Sequence, residues 1–395
     1  MSAKGIFPGW KVVAGSGVGI AFGTAVFLSS SFSLLAAAIG TQFGWSPVDL
    51  AKGASIALVL QMIGYPAVGL ILDRFGSRRV AMASILLFAL ALLALSQINK
   101  ALWQFYLAFF LIGLLASGTN VVSYARAITL WFDRKRGIAL GTAASFQALG
   151  AFIMPLAMQK IIASSGWPTA IMALAAFEVL GCLPVVAFLV KDDPHQSGLH
   201  ADGDTVDHAA AIVEPGPSVR DIVRTGTFWK LAIAFAIMGM SFYAVVTNVA
   251  FILTKSAGLT LAQVSVVLAI TGIAVLFGRI GFGFMLDRFS AQVVGILTLV
   301  LSALFFAGFA LGISLGFLLV AGLIGGAAVG GESDLLPYFA SRYFGKQAVS
   351  KIFGLFLSAY VFGGALGPVT FAKASQAFGG STIPLLGLVT AGSDG

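Results

Sequence analysis

The sequence predicts an all-α membrane protein built as two pseudo-symmetric six-helix bundles, with a twelfth helix that is short or truncated. Three observations predict it. Of 395 residues, 59% are hydrophobic and only 10% are charged, against roughly 25% charged in an average soluble domain. A soluble fold of this length cannot hide that much apolar surface, so lipid covers part of it. The apolar residues also gather in runs of membrane-spanning length. Finally, a charged phrase recurs. Gly69-Leu-Ile-Leu-Asp73-Arg74-Phe75 in the first half returns as Gly283-Phe-Met-Leu-Asp287-Arg288-Phe289, 214 residues later (287 − 73), each time ending an apolar run. A repeat at that period means two homologous halves, as in transporters built from parallel repeats.

The runs cover 12–38, 50–72, 80–98, 102–131, 138–162 and 168–190, then 229–253, 262–286, 291–312, 315–340 and 350–373. Each is near or above the ~20 residues that a spanning helix needs. A twelfth starts near Ser381, and the ending Thr390-Ala-Gly-Ser-Asp394-Gly395 lacks basic anchors, so a truncated or altered terminus is expected. Lys4 and Lys11 precede the first run without a short apolar core and cleavage site, which predicts a retained span rather than a signal peptide. The expected division is a first six-helix bundle at 1–190, a linker at 191–228 and a second bundle at 229–395. The linker holds Asp192-Asp-Pro194 and Pro215-Gly-Pro217, which break helices. It reads as a flexible tether, with a short amphipathic helix over Ser218 to Arg224 leading to Phe228-Trp229.

A second internal match supports the repeat. Trp131-Phe132 before Gly141 and Pro155 parallels Tyr343-Phe344 before Gly354 and Pro368, at offsets of 212 and 213.

Charge sets orientation and excludes other classes. With the N-terminus inside, 16 of the 23 lysines and arginines fall on cytoplasmic positions and five on outer loops, with Arg126 and Arg279 inside spans. That bias predicts a cytoplasmic N-terminus. The net charge of +8 is spread over short loops, not gathered in a nucleic-acid-binding stripe. Cys182 is the only cysteine, and His195, His200 and His208 all lie in the linker. No metal site, cofactor or disulfide framework is therefore expected. There is no Walker sequence and no nucleophile–base pattern, so neither a primary pump nor an enzyme is indicated.

The set Gly69, Asp73, Arg74, Gly76, Arg78 and Arg79 resembles the loop 2–3 signature of the major facilitator superfamily, with Asp287 and Arg288 in the weaker loop 8–9 copy. The resemblance covers nearly the whole chain and implies the major facilitator fold. It also implies that these residues gate the motion between halves rather than touch solute. Bottom-up, the glycines allow close helix approach, and Asp73 is suited to face a helix N-terminus from the other half. Pro8-Gly-Trp10, Phe43-Gly-Trp45-Ser46, Arg279 and Gly331-Glu-Ser-Asp334 through Arg342-Tyr-Phe-Gly345 look like the monocarboxylate and oxalate–formate branch.

Ionisable groups inside spans are functional candidates because each costs several kcal/mol there. Arg279 stands eight residues before Asp287, roughly 12 Å in from the end of its helix. Its repeat equivalent is Tyr65 (279 − 214), so the cation has no symmetry-related twin. The branch resemblance implies that it pairs a substrate carboxylate, the other reading being a structural ion pair. Branch members that couple protons often carry an aspartate one turn earlier, where this chain has Val275. Arg126 lies at similar depth on the fourth span and can instead snorkel toward Arg134-Lys-Arg136. Glu332 and Asp334 are two residues apart and diverge by about 200° around a helix. Either is a proton-carrier candidate, and an ion pair with Arg342 or Arg279 is the alternative. Glu178 sits in a scaffold span with no assigned chemistry. Asn120, Tyr124, Tyr65, Asn248 and Tyr360 join Arg279 as candidate solute contacts, with Gln61, Ser145 and Gln147 as further polar positions. Each can equally be interhelical glue, worth about 0.6 kcal/mol.

The resulting expectation is a secondary transporter of a small organic anion, a monocarboxylate in particular, working by alternating access with a proton as possible partner. It would act as a monomer in a bacterial inner membrane. Between Lys351 and Lys373 the eleventh span has no cation, which argues against a dianion. The alternatives are a drug/proton antiporter and a non-transporting sensor on the same scaffold.

Overall fold

The computed structural model describes residues 7–45, 47–203, 218–246, 253, 257–259, 261–311, 314–345 and 348–377, with the side chains of a few helical residues, Glu332 and Asp334 among them, outside the description. Ten helices among the described residues are long and apolar enough to cross a membrane. The expected short twelfth segment from Ser381 lies outside the described residues. The chain divides into two compact units. The first is Met1–Gly216 with Ala340–Gly354, and the second is Pro217–Phe339 with Leu355–Gly395. Thus the segment Ala340–Gly354, expected with the second half, packs with the first.

In the first unit, α1 (Gly9–Phe22), α2 (Thr24–Val26), a π-helical turn (Phe27–Ser31) and α3 (Phe32–Phe43) make up the first apolar run. Then come α4 (Pro47–Phe75), α5 (Ser77–Ser96), α6 (Leu102–Leu115) and α7 (Val121–Trp131). After them follow α8 (Arg136–Ser165), α9 (Trp167–Phe177), a second π-helical turn (Glu178–Cys182) and α10 (Leu183–Leu189). Helix α1 packs on α8, α4 on α6, and α5 on both α6 and α9.

The expected single span 102–131 is corrected here: it is two helices separated by a 3-10 turn at Ser117–Thr119. Asn120 is extended (φ −92, ψ 172) and takes the N-cap position of α7 without a side-chain cap hydrogen bond. Backbone groups freed inside a membrane must find partners, and side chains of the first run and of the turn itself supply them. Thr24 N donates to Thr119 Oγ1 at 3.0 Å and Thr24 Oγ1 to the Ala116 carbonyl at 3.4 Å. Ser117 Oγ donates to the Gly113 carbonyl at 2.6 Å.

In the second unit, α11 (Val219–Val223) is followed by α12 (Gly226–Val246), α13 (Leu261–Arg288), α14 (Ala291–Leu311), α15 (Leu315–Phe344) and α16 (Val349–Ala377). Ser218 caps α11 by accepting from Asp221 N at 3.2 Å, so the short helix expected before Phe228-Trp229 is present.

Large apolar side chains point outward throughout. Leu90, Phe152 and Phe188 are 61%, 69% and 78% exposed, which suits a surface solvated by lipid rather than water. Small residues set the helix crossings. A Cβ on Gly113 would sit 2.5 Å from the Ala57 carbonyl oxygen and 2.6 Å from Ala57 Cα, both on α4. Gly113→Val is therefore expected to cost about 1–3 kcal/mol as overpacking. A thermal melt of the purified protein should show a lowered midpoint, while Leu90→Ala on the outer face leaves it nearly unchanged.

Candidate functional site

The repeated charged phrase places its first copy at the end of α4. Gly69 faces the backbone of the Ala340–Gly354 segment: a Cβ there would lie 2.5 Å from the Ser350 carbonyl oxygen and 3.0 Å from Lys351 Cα. Gly354 approaches the Tyr65 carbonyl in the same way. This close approach is why the segment belongs to the first unit. It also brings Lys351, in the first turn of α16, to Asp73, with Nζ 2.9 Å from Oδ2. Arg126 of α7 stands on the other carboxylate oxygen, Nε to Oδ1 at 3.8 Å. One half-buried carboxylate thus serves two cations from different helices.

The turn after α4 is fixed by Gly76, whose φ of 81° lies in the left-handed region that favours glycine. A Cβ at Gly76 would also meet the Asp192 carboxylate. That carboxylate accepts from Arg78 N at 3.0 Å, near the start of α5. Around these groups lies a cavity of about 670 Å³, with Arg74, Arg78, Arg79, Arg126 and Lys191 set among Asp73, Asp192 and Asp193. Arg74 also lies over the Phe75 ring, 5.3 Å from its centroid.

The start of the linker is part of this end of the unit. Trp131 Nε1 donates to the Lys191 carbonyl at 2.9 Å. Asp202 accepts from Asp133 N and Arg134 N at 2.9 and 2.6 Å. Arg136 reaches Ser341 Oγ at 2.9 Å and Asp133 Oδ1 at 2.8 Å. The linker was read as a tether; over residues 191–203 its carboxylates instead tie down the two loops that carry the charged turns. The parts at 204–217, with His208, lie outside the described residues.

Deeper in the first unit, three candidate solute contacts fall close together. Asn120 Nδ2 donates to Tyr65 OH at 3.2 Å and to Thr24 Oγ1 at 3.2 Å. Tyr65 OH donates to Gln61 Oε1 at 2.9 Å. Tyr124 follows Asn120 by one turn of α7 and is fully buried. The break before α7 is what turns Asn120 toward this network, because the residue takes the N-cap position there instead of lying within a helix.

In the second unit Arg279 lies on α13, nine residues before its end at Arg288 (288 − 279), and is half-buried. Its backbone is pinned against α15: a Cβ on Gly330 would sit 2.4 Å from the Val275 carbonyl oxygen and 3.1 Å from Arg279 N. Tyr338 of α15 donates to the Leu286 carbonyl at 2.8 Å near the end of the same helix pair. Asp287 is half-buried in the last turn of α13, and Arg288 covers the Phe284 ring at 4.9 Å. Tyr360 on α16 stacks edgewise near Tyr243, centroids 6.3 Å apart. Asn248 lies outside the described residues, as do the side chains of Glu332 and Asp334 on α15.

The sequence reading did not pair Asp73 with Lys351 and Arg126. A lone lysine opening the eleventh span was the available signal. Glu178, given no role from sequence, is 1% exposed and opens the second π-helical turn.

Comparison with known proteins agrees with this architecture. A family model described as Major Facilitator Superfamily matches residues 18–368. An MFS-type transporter of Gibberella moniliformis is 26% identical over 312 residues, covering 77% of this chain and 68% of that protein. Monocarboxylate transporter 13 of Bos taurus is 23% identical over 252 residues, 62% of this chain and 54% of that one. The crystal structure of the human organic anion transporter MFSD10 (TETRAN) superposes with a TM-score of 0.72 at 15% identity, over 98% of both chains.

Proposed function

As this chain belongs to the major facilitator superfamily and is therefore a multi-pass membrane transporter, not an enzyme, we propose that its solute is a small organic anion, a monocarboxylate in particular. Transport is by alternating access and is coupled to a proton, from a bacterial inner membrane with the N-terminus in the cytoplasm. The observation that carries the anion reading is Arg279. A permanently charged guanidinium lies within a spanning helix, nine residues before its end (288 − 279), where an ionisable group is a functional candidate, and the repeat puts Tyr65, not a cation, in the matching place of the first half. The bovine relative's name points the same way. Asn120, Tyr65, Tyr124, Tyr360 and Asn248 are the polar groups that would orient the rest of the solute.

The gate in this reading is the Asp73 cluster. Gly69 lets α16 approach, and Asp73 holds Lys351 and Arg126. Arg74, Gly76, Arg78 and Arg79, with Asp287 and Arg288 in the second copy, complete the charged turns. Such a carboxylate favours one conformation without touching solute, and its bonds are released in the other.

Uptake of labelled monocarboxylates by proteoliposomes, with and without an imposed pH gradient, tests the assignment. The expected result is saturable uptake of at least one monocarboxylate, stimulated by the gradient and absent for its neutral amide. Uptake of none sinks the anion reading. Glu332 and Asp334 are the acidic pair for coupling on α15. Neutralising the carrier among them should preserve exchange of labelled for unlabelled solute while abolishing uphill accumulation. Accumulation retained in both Glu332→Gln and Asp334→Asn removes the pair.

A second reading, a drug/proton antiporter, is favoured by Glu178, a buried carboxyl that an anion carrier does not require.

A further inference from the structure

Glu178 is the one acidic side chain buried to 1% among the described residues. It stands at the centre of its span, eleven residues from each end of Trp167–Leu189 (178 − 167 and 189 − 178). The outer face of the same helix, with Leu180 and Phe188 at 77% and 78% exposure, is turned to lipid, so the carboxyl points into the bundle.

Among the described residues, the helices packed against it bring no cation to its side. The turn packs against α1, α5, α9 and α10. Among the described residues the cations on these helices are Lys11, Arg78 and Arg79, all exposed; α9 and α10 carry none. Arg126 of α7 is engaged with Asp73. The ionisable neighbours are Cys182, which shares a hydrogen bond with the carboxyl within the π-turn, and Tyr124, within electrostatic reach. Oε1 of Glu178 and the hydroxyl of Tyr124 are both buried without a hydrogen-bond partner. Gly19 of α1 leaves the room that the Tyr124 hydroxyl fills.

Desolvation penalises a charge placed there, and the cations on the neighbouring helices are too exposed to offset it. A simple structural role would be served by glutamine. What sets the position apart is the combination of a carboxyl with free hydrogen-bonding capacity and a π-helical turn, a distortion common at functional sites. Tyr124 stands one turn along α7 from Asn120, whose amide belongs to the Tyr65–Gln61 network.

We propose that Glu178 is a proton-binding site of this transporter, distinct from Glu332 and Asp334, that takes up and releases a proton inside the first bundle. Hydronium gives a proton to the Glu178 carboxylate, forming the acid O–H and leaving water. When the conformation opens the Tyr124 side the acid O–H breaks and water takes the proton as hydronium, restoring the carboxylate. The proposal rests on the proton-coupled reading above and adds to it where the proton binds.

Infrared difference spectroscopy of the full-length protein in lipid vesicles, stepped between acidic and alkaline buffer, tests it without any solute. The expected result is a protonated-carboxyl C=O band that disappears on alkalinisation. The band should be lost in Glu178→Gln and retained in Glu332→Gln and Asp334→Asn. Cys182→Ala keeps the carboxyl but removes its thiol partner, so the band should shift, which covers the case in which Glu178→Gln does not fold. A band that is unchanged in Glu178→Gln overturns the proposal. So does a band that never titrates, or one indifferent to Cys182→Ala. Failure of every carboxylate in uptake assays leaves these spectra standing, so the anion reading and the proton site fail separately.

Discussion

Arg279→Gln is expected to weaken binding of a transported monocarboxylate by about 2–5 kcal/mol, the range for removing one partner of a buried charged pair. That corresponds to at least about thirtyfold in Kd. The guanidinium offers a planar fork that takes a carboxylate on two parallel N–H bonds, and glutamine offers neither charge nor fork. The helix around it should survive the change, because its position is set by backbone contacts at Gly278 with Ala327 and at Gly330 with Val275. Arg279→Lys keeps the charge and loses the fork, so it should bind with intermediate strength. Calorimetry on purified variants with a carboxylate and its neutral amide reads the difference. Equal carboxylate affinity in Arg279→Gln and the parent would falsify the organic-anion assignment.

The second large effect is kinetic. Asp73→Asn keeps the size of the side chain but leaves Lys351 and Arg126, now 2.9 and 3.8 Å from the carboxylate, without the anion that they share. The pair is only partly buried, so its worth to global stability is small; in the gating role proposed above, its weight falls on which conformation is populated. Turnover in proteoliposomes is expected to fall about tenfold or more, a bias of about 1.4 kcal/mol, while the solute Kd changes by less than about twofold. If binding and turnover fall together, Asp73 belongs to the solute site and not to a gate. Lys351→Gln should reproduce the same pattern from the other side of the bridge.

Much of the fold was readable because lipid imposes a simple rule. A spanning helix must be a long apolar run, and Gly-x-x-x-Asp-Arg-Phe marks the end of two of them. The features that depart from regular helix were not readable. Ser117-Gly-Thr-Asn120 is tolerable inside a membrane helix, and its break is supported by Thr24, 92 residues before Ala116, whose hydroxyl donates to the Ala116 carbonyl. The π-turns at Phe27–Ser31 and Glu178–Cys182 contain no proline and no shared pattern, so composition gives no warning of them. At the charged end, the motif named Asp73 but not its partners. The depth of Arg126 was visible along the chain, yet the direction of its side chain is a matter of how α7 turns against α4. Asp192 and Asp202 belong to a segment whose sequence reads as a tether, and nothing in it points to their backbone donors, Arg78 N and Arg134 N.

The order in which the ribosome delivers these groups gives the Asp73 cluster a history as well as a geometry. Arg126 is made 53 residues after Asp73 (126 − 73), and Lys351 is made 278 residues after it (351 − 73). Chains fold from the N-terminus during synthesis, so Arg126 meets the carboxylate while most of the polypeptide has yet to be inserted. Lys351 and the Ser350 backbone that covers Gly69 come more than two hundred residues later. The first unit therefore spends most of its biogenesis with one counter-ion and an open seam, and the late segment Ala340–Gly354 closes it. A nascent chain stalled before residue 340 should hold the Arg126 contact and lack the seal.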